Sequence, residues 1–192
     1  MRPVTKIATG FVFAFGALRL NGFDLLLDPV GWGLCASGLF RLRRSGDGPF
    51  AAAWVSAVAM VYVSFAILTV SSGVLGYDRT VSYFAQVISV AGTAGALLTV
   101  WLAVEAVIRR IRPAGETATA DLLDVLRWAV AGLGALAALA QYGYVGLETA
   151  VGIVWFAAVI SLIIVLYRSA RLRCLSPMWE SVADQVRPAR HP

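Results

Sequence analysis

Histidine and cysteine are almost missing from this sequence. The one histidine is His191, next to the end, and the two cysteines are Cys35 and Cys174. No CxxC and no Cys/His cluster occurs, so a metal site built on those ligands is not expected. Cys35 lies in an apolar run and Cys174 in a basic tail, on opposite ends of different predicted helices, so no disulfide is expected either. Charge is scarce: 14% of residues are Asp, Glu, Lys or Arg, against about 25% in a soluble domain. Lysine is nearly absent too, since Lys6 is the one non-arginine among the sixteen basic residues. No GxSxG occurs and no histidine lies in an apolar run, so no nucleophile has a base beside it. The GxG of "VGWGL" has no preceding strand and no third glycine, which excludes a dinucleotide fingerprint. No cofactor, no catalytic residue and no enzyme activity is expected.

What is there is apolar. The 192 residues are 59% hydrophobic, with a mean hydropathy of +0.78. A soluble chain of this composition would not cover its own core, so the bilayer is the expected solvent. One compact membrane domain is expected at this length. Four runs are long enough to cross a hydrocarbon core about 30 Å thick, which takes roughly 20 residues of helix. They are residues 50–77, 80–104, 128–147 and 149–167. No period-two alternation appears, so helices and not a barrel must satisfy the backbone in lipid. Residues 7–18 and 29–40 are shorter apolar runs. Each extends if its flanking charges snorkel, Lys6 and Arg19 for the first, Asp28 and Arg41 for the second. The preferred reading is two short helices in a hairpin, with a re-entrant pair as the alternative. A cleaved leader is a competing reading, from basic Arg2 and Lys6 and small Ala14 and Gly16. The glycine-interrupted apolar stretch and Arg19 argue against it.

The fold expected is therefore all-α, a polytopic helical membrane bundle of about six transmembrane helices in three hairpins. Residues 1–168 form the transmembrane domain and 169–192 a basic tail. Threading six helices with both termini cytoplasmic puts fourteen of the sixteen basic residues inside, leaving Arg19 and Arg79 outside. This satisfies the positive-inside rule for the inner (plasma) membrane. Net charge is +5, but the arginines sit in short clusters between apolar runs. Anionic lipids at those clusters, and not nucleic acid, are the expected partners. In the tail, Met178, Trp179, Val182 and Val186 would share one face of an amphipathic helix after Pro177.

Four residues are candidates for binding. Asp24 and Asp28 in "NGFDLLLDPVGWGL" share a face if helical and sit at an outside turn. They would form a cation-binding mouth, or do no more than build the turn. In that second reading Asp28 caps a helix starting at Pro29, and Asp24 pairs with Arg19. Glu105 and Arg127 are the nearest to intramembrane charges, and a bridge between them is expected. Glu105 precedes Arg109 by four residues, a favourable helical order. Residues 109–124 are expected to form the longest internal loop, with Arg127 beginning the fifth helix and Thr119 or Asp121 capping it. Gly31, Gly33 and Gly38, "AGTAGA" from Ala91 and "AGLGALAALA" from Ala131 are small-residue faces for close helix packing. Gln86, Gln141, Ser56, Ser64, Ser89, Thr93 and Thr99 offer interhelical hydrogen bonds or the lining of a polar path.

Residues 6–42 resemble the N-terminal hairpin of uncharacterised bacterial multi-pass membrane proteins, whose hallmark reads D-x-L-P-D-x-x-G-Y. Asp24, Asp28, Gly31 and Trp32 take the corresponding places. Leu27 stands where proline is usual, and Pro29 follows Asp28. The resemblance implies a multi-pass membrane protein and six helices, and it adds no chemistry. The leading functional reading is an integral membrane protein acting through helix packing, with itself in a homo-oligomer or with a membrane partner. The alternative is a small ion or solute transporter or channel with Asp24 and Asp28 at the outer mouth. A membrane-embedded enzyme ranks last.

Overall fold

The computed structural model describes residues 2–16, 27–44, 48–71, 79–140, 148–172 and 175. Six α-helices account for most of them: α1 Pro3–Phe15, α2 Leu27–Arg43, α3 Pro49–Ser71, α4 Arg79–Ile111, α5 Thr117–Ala140 and α6 Glu148–Ser169. No strand occurs among the described residues. Proline opens α1 and α3 and lies in the first turn of α2, where a missing N–H loses no helical bond. Gly16 ends α1, donating its N–H to the Val12 carbonyl at 2.7 Å.

Four helices, α3 to α6, are long and apolar enough to cross a membrane. Apolar side chains surround α3 and α4 on all sides, as expected where lipid or protein meets every face. Large apolar residues accordingly point outward. Tyr62 is 72% exposed and Leu139 68%. At about 1.5 Å per residue, the 13 residues of α1 reach only about 20 Å and the 17 of α2 about 25 Å.

Each helix packs on its neighbours in sequence, and α6 returns to α1, closing the circuit. The seams show antiparallel order. Gly10 lies against Gly31 and Cys35, and Gly38 against Pro3 and Ile7. Ser56 and Thr99 bond at 2.7 Å between α3 and α4, while Gly95 meets Met60 and Gly92 meets Ile67. On α6, Trp155 donates Nε1–H to the Val130 carbonyl of α5 at 3.1 Å and stacks edge-on to Phe15 of α1. Antiparallel hairpins gather the arginine clusters at one end. There Arg43 lies over Trp54, Arg110 over Phe50, and Arg2 bonds to Ala170.

Among the described residues, the fully buried side chains collect toward this basic end. They include Ile7 and Phe11 of α1, Leu39 and Leu42 of α2, Phe50 and Ala53 of α3, and Leu162 and Leu166 of α6. On α4 they run from Val100 to Ile111. The other halves of α4, α5 and α6 expose Val87, Val90, Leu136 and Ile153.

Several expectations are corrected. The segment from Arg109 to Asp124 is not a long loop: α4 continues to Ile111, and one 3₁₀ turn, Arg112–Ala114, with Gly115 and Glu116 joins it to α5. Charge ends a membrane span without ending a helix, and Arg, Ala, Leu and Glu are good helix formers. Arg127 therefore lies inside α5 and does not begin it. Thr119 and Asp121 lie in its first turns and do not cap it. The reversal needs Gly115, whose φ of 88° favours glycine. Asp28 is the second residue of α2, so it sits in the first turn and is not the cap before Pro29. Gly33 meets no atom of the described residues within 4 Å of where a Cβ would stand, so it does not serve close packing among them. Asp24, Arg19, Gln141, Cys174 and the tail helix expected around Trp179 lie outside the described residues.

Candidate functional site: a charged cluster between the fourth and fifth helices

Along the last turns of α4, Trp101, Glu105 and Arg109 recur every four residues and so share a face. Asp124, Arg127 and Trp128 lie on the part of α5 that runs back beside it. The Glu105 carboxylate divides its oxygens. Oε1 accepts from Arg109 Nε at 2.6 Å, and Oε2 accepts from Arg127 Nη1. Arg127 Nη2 donates to Asp124 Oδ1. The guanidinium carbon of Arg127 stands 4.1 Å from the centroid of the Trp101 ring. Trp128 meets Trp101 edge-to-face, with centroids 4.6 Å apart. The expected Glu105–Arg127 bridge is thus present, as the centre of a larger cluster.

Two carboxylates and two guanidiniums make the cluster formally neutral, which reduces the cost of holding charge in a poorly solvated place. The Arg127 side chain is 10% exposed, Glu105 26% and Asp124 38%. Arginine suits the position because its planar fork serves two carboxylates while its face stacks on an indole. Its Nε–H has no acceptor among the described residues. At the outer edge, Arg112 and Asp121 close a further pair at 3.1 Å across the connecting turn. Chemically, the arrangement fixes the register of α4 against α5 and puts a charge-balanced ion-pair network near the basic end.

Of the three candidates among the described residues, Glu105 and Arg127 come together and Asp28 does not join them. Asp28 is half-buried at the start of α2, at the end of the bundle opposite Glu105 and Arg127. Ser56 and Thr99 satisfy each other, and Thr93 bonds back to the Ser89 carbonyl of its own helix. The tryptophans were not legible as part of the site. Their signal is the spacing of Trp101 to Glu105 and the adjacency of Trp128 to Arg127.

Helical architecture and four long apolar helices fit an integral membrane protein of the helical-bundle class. No protein-family model matches the chain, and no match was found among curated proteins or solved structures.

Proposed function

We propose that this protein is a multi-pass protein of the inner (plasma) membrane that acts by helix packing and assembly, and not as an enzyme. Its partner in this reading is a second copy or another membrane helix. Both termini are cytoplasmic, and anionic lipids meet the arginine clusters. The likeness of residues 6–42 to bacterial multi-pass proteins belongs to the same reading.

The observation that carries it is how the glycines are used. Gly10, Gly31, Gly38, Gly95 and Gly134 each face a neighbouring helix closely. Gly132 is exposed, with no atom of the described residues within 4 Å of a Cβ built there. It lies on one face of α5 with Val125, Trp128, Leu136 and Leu139, all exposed. Small residues on membrane helices favour close helix–helix contact, and lipid alone offers no reason for one there. The test is the oligomeric state in lipid nanodiscs across protein-to-lipid ratios. Wild-type protein is expected to self-associate, and Gly132→Leu to lower that association with the helix content unchanged. A wild-type protein that stays single at every ratio and co-purifies with no membrane protein overturns the proposal.

A further inference from the structure

At the basic end, α1 and α6 leave an open cleft of about 410 Å³. Its rim carries three guanidinium groups, from Arg2, Arg168 and Arg171, and its walls include Thr5, Tyr167 and Ile164. Among the described residues no carboxylate pairs with any of the three arginines. Arg2 is held at the rim by one bond, Nη1 to the Ala170 carbonyl at 3.0 Å, which uses one of its five donors. Tyr167 is held as well. Thr9 donates its hydroxyl to the Thr5 carbonyl at 2.8 Å. The 2.7 Å contact between Thr9 and Tyr167 is therefore a donation from the tyrosine hydroxyl. The cleft is thus a basic rim on a positioned wall.

Below the rim the same face of α6 turns apolar. Ile153, Ile160 and Ile164 share it with Tyr167 and Arg168, by their spacing of three, four and seven. Ile164 is 52% exposed and Ile160 42%. The change from isoleucine to arginine takes about 6 Å of helix, one turn. An aromatic residue stands at the change, where membrane interfaces place tyrosine.

The geometry points to a binding site for one acidic phospholipid, its phosphate among Arg2, Arg168 and Arg171 and an acyl chain along Ile164 and Ile160. This inference rests on the proposed lipid-facing role of the arginine clusters and names one of them as a site. Three cations with no described counter-charge select a headgroup of net negative charge over a zwitterionic one. The apolar track beneath them selects a lipid over free phosphate.

The experiment is native mass spectrometry of the full chain from mixed micelles of phosphatidylglycerol and phosphatidylcholine with matched chains. Retention of one phosphatidylglycerol is expected. Each basic residue near a lipid surface contributes about fivefold, so Arg168→Gln with Arg171→Gln is expected to lower retention about thirtyfold. The Arg168→Lys/Arg171→Lys protein keeps most of it, and shows that the loss is not one of folding. Arg43→Gln with Arg44→Gln removes the same charge elsewhere and is expected to change retention little. An equal loss in both glutamine variants overturns the site while leaving the general lipid reading standing. No preference for phosphatidylglycerol in the wild type overturns both. Displacement of the lipid by millimolar glycerol 3-phosphate overturns the lipid assignment in favour of a phosphate site.

Discussion

Arg127 lays its guanidinium on the face of Trp101, 4.1 Å from the ring centroid. The contact joins two helices, and it uses a face of the planar cation, where no N–H points. Cation–π attraction is worth about 0.5–1 kcal/mol when exposed and about 2 or more when desolvated. The cluster therefore has three separable components at Arg127: the Glu105 bond, the Asp124 bond and the indole stack.

Exchanging the charges of Glu105 and Arg127 is a poor test of this cluster, because a glutamate at 127 would face Asp124 and an arginine at 105 would face Arg109. Neutral variants are cleaner. Arg127→Gln is expected to destabilise the protein more than Glu105→Gln, since Glu105→Gln leaves Arg127 paired with Asp124. Arg127→Lys falls between, keeping charge while losing fork and stack. In a double-mutant cycle on thermal stability in detergent, a coupling of about 0.5–3 kcal/mol is expected between 105 and 127. Additive losses contradict the bridge.

The seam between α1 and α2 gives a sharper contrast. A Cβ at Gly31 would stand 2.7 Å from the Ala14 nitrogen and 2.8 Å from the Gly10 carbonyl oxygen. Those are backbone atoms, which yield only if the helices separate. Gly31→Ala is expected to cost about 1–3 kcal/mol, the range of overpacking. Gly33→Ala, with open space around it, is expected to gain up to about 1 kcal/mol from helix propensity. Melting temperatures of the two variants, in one detergent, decide the matter. Equal effects would contradict the packing.

Cys35 is fully buried, and its thiol donates to the Ile7 carbonyl at 3.3 Å. In a Cys174→Ser background, a maleimide is expected to leave the folded protein unlabelled and to label it fully after denaturation. Rapid labelling of the folded protein would mean that the α1–α2 seam opens in membrane or detergent.

The assembly reading also makes a prediction about Asp28. Reconstituted vesicles are expected to pass no more ions than empty ones, and Asp28→Asn is expected to leave that leak unchanged. An ion flux that Asp28→Asn abolishes would favour transport over assembly.

The long helices were legible because lipid imposes length and apolarity on α3 to α6 together. Their ends were not legible, because the rule used was lack of charge. Arg127 and Asp124 stop a membrane span, yet helix geometry accepts both, so α5 starts at Thr117. The glycines show the same limit. Composition treats Gly31, Gly33 and Gly38 alike, while helical rotation does not. Seven residues bring Gly38 back under Gly31, with Cys35 between them. Two residues turn Gly33 to the far side at about 100° per residue. That distinction was available from spacing. Gly10 was not, because its use depends on which face of α2 crosses it. The Glu105–Arg127 bridge was legible from charge scarcity, since few partners exist, and the indole beneath Arg127 was not.

Among the described residues, the gathering of buried side chains at the basic end implies that backbone amides do not open with equal ease. Local opening requires breaking the contacts around a segment, so segments rich in buried contacts exchange last. Amides near Val104 and Leu166 are expected to keep their protons longest, and those near Val90 and Leu136 to trade them first. In a membrane this becomes a difference in mechanical character along one axis: a stiff collar at the arginine end and more compliant helix halves beyond it. Neighbouring lipids or proteins would deform the second before they disturb the first.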